Sequence, residues 1–120
     1  MKIKEIIQAT NGKLIQGNEE TEIKEFCKDT RIIKPGDAYI GIKGENFDGN
    51  ILWQKAFEAG ADIVIVQGID FSKEDLEKYQ NKNIIKVEDT IKALADIATY
   101  KRESMGKNFK IVGVTGSVGK

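Results

Sequence analysis

Apolar positions recur along the chain first at a helical period and then as alternating strand-like and helix-like segments. Ile3, Ile6 and Ile7 share one helical face, and Asn11-Gly12 supplies a stop, which predicts a short opening helix. Lys13 to Gln16 and Glu22 to Lys28 come next as β-like runs. Pro35-Gly36 suits the centre of a type II turn, because proline presets φ and glycine accepts φ > 0. Ala38 to Lys43 alternates, with Ala38, Ile40 and Ile42 on one face, and reads as a strand. Residues 50 to 60 read as a helix, with Trp53, Ala56 and Phe57 on one face and Gly60 at its end. Asp62 to Val66 is a nearly unbroken β-branched run, the composition of a strand covered on both faces.

The pattern continues with a helix opened by Phe71-Ser72. Ser72 is its expected N-cap, Asp75 completes a capping box, and Phe71 with Leu76 makes a hydrophobic staple. Asn83 to Val87 is a further strand. Thr90 to about Ser104 is a longer helix with Ile91, Leu94, Ala95 and Ala98 on one side and Gly106 past its end. Lys110 to Thr115 is a final strand. Strands alternating with helices predict an α/β fold: a mixed sheet, largely parallel, flanked by helices. The early β-runs add strands of mixed direction. A domain boundary is expected near residues 105–109, giving a unit at 1–106 and the start of a second at 107–120.

Composition narrows the function classes. Lys plus Arg and Asp plus Glu are 19 each, so no net positive charge argues for nucleic acid. The chain has no histidine, which removes Cys–His pairs, Ser-His-Asp triads and most zinc sites. Cys27 is the single cysteine, so an intrachain disulfide is impossible, and it is expected to be a half-buried thiol on a strand. Met1-Lys2-Ile3-Lys4-Glu5 interleaves charges with apolar residues and resembles neither a signal peptide nor a membrane span. A cytoplasmic location, with no membrane insertion, is the expectation.

Two regions carry candidate chemistry. The first is Val114-Thr115-Gly116-Ser117-Val118-Gly119-Lys120, which comes after a predicted strand, holds two glycines and ends in lysine. Glycines let backbone N–H groups approach phosphate oxygens, and a lysine sets a cation beside the outer phosphates. Val114 stands where the full G-x-x-x-x-G-K-S/T pattern has its first glycine. The Ser/Thr that would ligate Mg²⁺ does not follow, since Lys120 is the last residue. The loop is therefore expected to bind ATP poorly on its own. The second region joins Asp29-Thr30-Arg31, Lys34-Pro35-Gly36-Asp37 and Lys43-Gly44-Glu45-Asn46-Phe47-Asp48-Gly49. These are polar loops at strand ends. Backbone N–H groups near Gly44 and Gly49 are candidates for ligand approach, and Arg31 pairs either with a phosphate or with Asp29 or Asp37.

In order and spacing, Asp29-Thr30-Arg31, Pro35-Gly36-Asp37, Gly44 to Gly49, Gly60-Ala61, Val87-Glu88-Asp89-Thr90, Ala93-Leu94 and Thr115 to Lys120 resemble the Mur ligase family. Those ligases build the bacterial cell-wall precursor. The resemblance covers essentially the whole chain. It implies a substrate-binding N-terminal domain for the UDP-sugar end of the precursor, then the first strand and truncated phosphate loop of an ATP-binding domain. It also implies that Thr30, Arg31, Lys43, Glu45, Asn46 and Phe47 meet the UDP-sugar, while Asp48 and Gly49 shape their loop. Thr115, Gly116, Ser117, Val118, Gly119 and Lys120 would meet ATP.

In that family the peptide's terminal carboxylate is phosphorylated and an amine then attacks the acyl phosphate. ATP and Mg²⁺ serve the whole enzyme, with none expected bound to this stretch. No catalytic residue or metal ligand falls within it, and the chain alone is expected to be inactive. The Ser117 form of the loop resembles the subclass that adds D-alanyl-D-alanine to UDP-N-acetylmuramoyl-tripeptide. The subclass adding the third amino acid, a stand-alone UDP-sugar-binding module and a structural α/β domain are the alternatives.

Overall fold

A computed structural model of the chain describes residues 1–108, with side chains to residue 103. Five strands form one sheet: β1 (Lys13–Gln16), β2 (Phe26–Cys27), β3 (Ala38–Ile40), β4 (Ile63–Val66) and β5 (Asn83–Lys86). Their spatial order is β1-β5-β4-β3-β2. The pairs from β2 to β5 are parallel, and β1 closes the outer side of β5 antiparallel. The fold is thus the mixed sheet with flanking helices that the pattern predicts. The expected strand from Lys110 and the phosphate loop from Thr115 to Lys120 lie outside the described residues.

The helices are α1 (Ile3–Thr10), α2 (Trp53–Ala59), α3 (Lys73–Lys78) and α4 (Thr90–Asn108). Period-two alternation divides the strand side chains between two cores. Ala38, Ile40, Ile63, Ile65 and Ile85 join Ile3 and Ile6 of α1 and Ala93 and Ile97 of α4. Tyr39, Val64, Val66 and Ile84 join Trp53, Ala56 and Phe57 of α2 and Tyr79 beyond α3. All four residues of β4 are fully buried, as its β-branched sequence requires of a strand between two helical layers. In the second core Trp53 meets Phe71 and Tyr79 edge-on, with centroids 4.9 and 5.4 Å away.

Local chemistry sets the boundaries. Asn11 takes the left-handed conformation that ends α1, and Gly60 does the same for α2. Gly36 sits at φ +91°, and Asp37 N–H closes the turn on Lys34 O at 3.0 Å. Ser72 accepts from Asp75 N–H, and the Asp75 carboxylate accepts from Ser72 N–H, completing the capping box. Phe71 and Leu76 both pack on the second core.

Four expectations are corrected. The run from Glu22 to Lys28 keeps only Phe26–Cys27 as strand, because Ile23 and Lys24 donate instead to Met1 O and Gly36 O. The strand expected over Ala38 to Lys43 ends at Ile40. Gly41 still donates to Ile65 O, but a Cβ there would lie 2.7 Å from Asn50 Cα, so the chain turns away beneath that residue. The helix expected from residue 50 opens as a 3₁₀ turn, Gly49–Leu52, capped by Asp48. The last helix passes through Gly106 to Asn108, and its buried side is Thr90, Ala93 and Ile97. Ile91 (57%) and Leu94 (37%) are exposed, as are Ala95 and Ala98. Counting apolar residues selects the richer stripe; contact with α1 and the sheet selects the other.

One side chain joins these parts. Asn50 is fully buried. Its amide donates to Asp48 Oδ1 (2.8 Å), and its carbonyl accepts from Gln67 N–H (2.9 Å) just past β4. The Gln67 side chain in turn accepts from Thr90 N–H (2.8 Å) and Thr90 Oγ1–H (3.0 Å) at the start of α4. Replacing Asn50 with alanine leaves the part-buried Gln67 N–H without its acceptor, a loss on the order of 1 kcal/mol. Urea unfolding of Asn50→Ala should show a midpoint lowered accordingly, with the slope unchanged; an unaltered midpoint would mean that Gln67 finds another partner.

Candidate functional site

The carboxyl ends of parallel strands are where open α/β sheets leave a crevice. Here the ends of β2 and β3 border a cleft of about 430 Å³. Its walls come from the loop after β2 (Lys28, Asp29, Thr30, Arg31), from Tyr39 and Ile42, and from the next loop and helix (Phe47, Gly49, Leu52, Lys55). Three cationic side chains and one carboxylate line it, so it favours an anionic ligand. Phe47 is 56% exposed, an aromatic surface available for stacking.

Residue by residue, Thr30, Arg31 and Phe47 of the sequence-derived set come together in the cleft. Lys43, Glu45 and Asn46 do not line it; they are exposed on the hairpin between Lys43 and Asp48, which pair as an antiparallel bridge. The backbone N–H groups of Gly44 and Gly49, candidates for ligand approach by sequence, are used within the loop. Gly44 donates to Phe47 O (2.7 Å) and Gly49 to Ile42 O (2.8 Å). A Cβ on Gly49 would stand 2.9 Å from Ile42 O and 3.1 Å from the Tyr39 hydroxyl, so this glycine serves a close backbone approach. Asp48 shapes the loop, accepting from Asn50 N–H and its amide.

Arg31 pairs with Asp29 in a fork: Nε donates to Oδ1 (3.0 Å) and Nη2 to Oδ2 (2.8 Å), and Arg31 N–H also donates to Oδ1. The guanidinium bonds, then the backbone bond, hold the Asp29 carboxyl down from 3.8 to about 2. Asp37, the other partner considered, accepts from Lys34 N–H and closes the Pro35-Gly36 turn. Cys27 is half-buried, its thiol donating to Asp29 O (3.1 Å). Beneath the cleft the Tyr39 hydroxyl donates to Gly49 O (2.7 Å). Burial, with the neighbouring charges of Cys27, Asp29 and Asp48, pushes that phenol up from 10 to about 12.

Sequence reasoning misses Lys28, Tyr39 and Lys55. Lys28 adjoins the D-T-R tripeptide and was within reach of the argument. Nothing in the pattern sets Lys55 apart from other exposed lysines, and Tyr39 reads only as a strand residue. Two further hollows lie at the end of β5. One, about 270 Å³, has Glu88, Asp89 and Asp96 among its walls; the other, about 510 Å³, has Lys13, Lys86 and Glu88. Asp89 caps α4, Asp96 pairs with Lys92, and Lys86 pairs with Asp70, which leaves Lys13 of the larger hollow outside these ion pairs, against Lys28 and Lys55 in the first cleft. Among the described residues no group of three His, Cys, Asp or Glu could hold a metal ion, and no helix is long and apolar enough to cross a membrane.

Comparison with known proteins points the same way. Residues 22–102 match the family model "Mur ligase family, catalytic domain". The chain is 35% identical over its full length to the UDP-N-acetylmuramoyl-L-alanyl-D-glutamate–2,6-diaminopimelate ligase of Clostridium perfringens, covering 24% of that protein. It is 33% identical over 98% of its length to the UDP-N-acetylmuramoyl-tripeptide–D-alanyl-D-alanine ligase of Bacillus subtilis, again 24% of that protein. A crystal structure of MurF from Acinetobacter baumannii superposes with a TM-score of 0.72 at 27% identity, covering 88% of this chain and 22% of that one. The chain thus spans about a quarter of the length of the curated relatives it matches.

Tyr39 and Asp29 give opposite pH signatures. The raised phenol contributes stability that is complete below pH 10 and is lost as pH rises toward about 12, a total of roughly 3 kcal/mol. Urea curves at pH 9.5 and 11.5 should therefore fall further for the parent than for Tyr39→Phe; parallel losses would place the hydroxyl in water. The lowered carboxyl of Asp29 contributes above pH 3.8, and its contribution is lost as pH falls toward about 2. In Arg31→Leu the Asp29 carboxyl, tracked by carbon-detected NMR, should titrate closer to 3.8; an unmoved midpoint would show that the fork does not hold in solution.

Proposed function

The chain belongs to the Mur ligase family, and on that premise we propose that its cleft receives the UDP-sugar end of a UDP-N-acetylmuramoyl-peptide. The observation that carries this reading is the meeting of Lys28, Arg31 and Lys55 with Thr30 and an exposed Phe47 at the carboxyl edge of β2 and β3. A diphosphate needs cations, and two lysines supply them as point charges. A pyrimidine needs a flat apolar partner and a sugar needs hydroxyl partners, which Phe47 and Thr30 supply. Arg31 is engaged by Asp29, so it orders the loop and offers the ligand only what the fork leaves over. Lys43, Glu45 and Asn46, at the mouth on the exposed hairpin, reach the ligand if that hairpin folds over it.

The longer polypeptide would use this domain to hold the precursor while ATP phosphorylates its peptide carboxylate and an amine displaces the phosphate. Residues 1–106 are the substrate-binding unit in this reading, and 107–120 open the unit that binds ATP. Thr115, Gly116, Ser117, Val118, Gly119 and Lys120 would hold the ATP phosphates, through glycine N–H groups and the lysine charge. They lie outside the described residues. Cytoplasmic action follows from such substrates.

The Ser117 form of the loop supports addition of D-alanyl-D-alanine to the tripeptide. The slightly higher identity to the diaminopimelate-adding relative favours the second reading, addition of the third residue to the dipeptide. The two readings share the nucleotide end and differ in the peptide.

Calorimetric titration with UDP-N-acetylmuramoyl-tripeptide should show saturable binding. Lys28→Ala and Lys55→Ala should each weaken it about tenfold, the effect of roughly 1.4 kcal/mol expected for one charge-assisted contact. Lys82→Ala, at the opposite edge of the sheet, should leave it unchanged. Equal effects of all three would remove the cleft from consideration. Tighter binding of UDP-N-acetylmuramoyl-L-alanyl-D-glutamate than of the tripeptide would favour the second reading.

A further inference from the structure

The direction in which the chain leaves each strand opens a second crevice. The crossovers after β3 and β4 run through α2 and α3 over the second core, where Trp53, Phe57, Leu76 and Tyr79 pack. The chain leaving β5 goes to the opposite face, where Ala93 and Ile97 of α4 join the first core. Adjacent parallel strands whose connections part to opposite faces leave a ligand crevice between their carboxyl ends. The larger hollow at the end of β5, about 510 Å³, lies there. Gly68 borders it from the chain leaving β4, Lys86, Val87 and Glu88 from the end of β5, and Asn11 and Lys13 from the turn into β1.

The wall of this hollow carries an uncompensated pair of like charges. Lys13 and Lys86 are partners in the antiparallel register of β1 and β5, so their side chains leave the same face of the sheet with Cβ atoms about 5 Å apart. Like charges set directly opposite one another repel. Lys13 makes no ion pair among the described residues. Lys86 reaches Asp70 at 3.4 Å, but that carboxylate is fully exposed and solvent screens the pair. Gly68 sits at φ +67°, and a Cβ there would meet nothing within 4 Å, so the hollow is open beside its backbone.

We propose that the hollow is a second ligand site and that it takes a small phosphomonoester. Such an ester carries about two negative charges at neutral pH, which matches two facing ammonium groups where a carboxylate would neutralise one. Lysine serves phosphate as a point charge. A volume of about 510 Å³ exceeds a phosphate group, and the rest of the wall defines the organic part. The Asn11 amide and the Glu88 carboxylate have no partner among the described residues, and hydroxyl groups suit both. The ligand class is therefore a phosphorylated polyol or small sugar. The hollow shares no residue with the cleft at β2 and β3, so the two sites can be tested separately.

The probe is glycerol 3-phosphate, titrated into the isotope-labelled full chain at constant ionic strength and followed by NMR, with glycerol and sodium chloride as controls. The amides of Gly12, Lys13, Gly68, Lys86 and Val87 should shift together and saturate, with a dissociation constant on the order of 1 mM for an open site with two cations. Lys13→Gln and Lys86→Gln should each weaken binding at least about tenfold, while Lys82→Ala leaves it unchanged. Two variants are made so that one remains if the other fails to fold. Stability supplies a second signature. Without ligand, Lys13→Gln should unfold at a higher urea midpoint than the parent, because the repulsion is gone. Saturating glycerol 3-phosphate should raise the parent's midpoint and leave that of Lys13→Gln nearly unmoved. Shifts that do not saturate, that sodium chloride reproduces, that are confined to residues 28–31, or that persist unchanged in the Gln variants overturn the proposal. A midpoint lowered by Lys13→Gln would make the lysine pair structural and overturn it as well.

Discussion

The architecture around the cleft depends on one buried amide. Asn50 is fully buried, so both ends of its side chain must find partners within the protein. The amide end holds Asp48, and the carbonyl end holds the backbone past β4. Through Gln67 the same chain of hydrogen bonds reaches the first turn of α4. Three segments far apart in sequence are thereby locked at the carboxyl edge of the sheet. The geometry leaves no space for side chains where they cross, which is why Gly41 and Gly49 stand there.

That lock gives the cleft a rigid floor with a ring of charges above it. Tyr39, held by Gly49 O, closes the base. Lys28 and Lys55 approach from a loop and a helix on either side, while Arg31 is already committed to Asp29. An exposed fork of this kind adds little to stability, because solvent screens both charges. Its effect is conformational: it fixes the turn after β2 and with it the position of Thr30. A polar ligand would meet cations whose backbones are preset, which lowers the ordering required on binding.

Two core layers explain how 108 described residues support such a site. Alternation along β3, β4 and β5 sends isoleucines toward α1 and α4, and Tyr39, the valines and Ile84 toward the aromatic group on α2 and at either end of α3. Helix α4 is the exception to simple two-layer logic. It is anchored on one face by Ala93 and Ile97 and carries a second, exposed apolar stripe on another.

Much of this was legible without coordinates. Strand β4, the Ser72 capping box, the Pro35-Gly36 turn and the glycine end of α2 are determined by local rules, since propensity, capping and φ restrictions act over a few residues. The order of short motifs was enough to point to the family, and the loops carrying Thr30, Arg31 and Phe47 were singled out from it. Competition between distant partners set the features that no local pattern could decide. The rotation of α4 was chosen by α1, Gln67 and Glu5, not by its own richer stripe. The β-run before the turn lost its length to Met1 O and Gly36 O. The glycine N–H groups of the loop went to Ile42 and Phe47. Lys55 became part of a cleft because Trp53, Ala56 and Phe57 pack its helix on the second core. Local periodicity determined which elements form; the pairing of buried polar groups across the sheet decided where each one points.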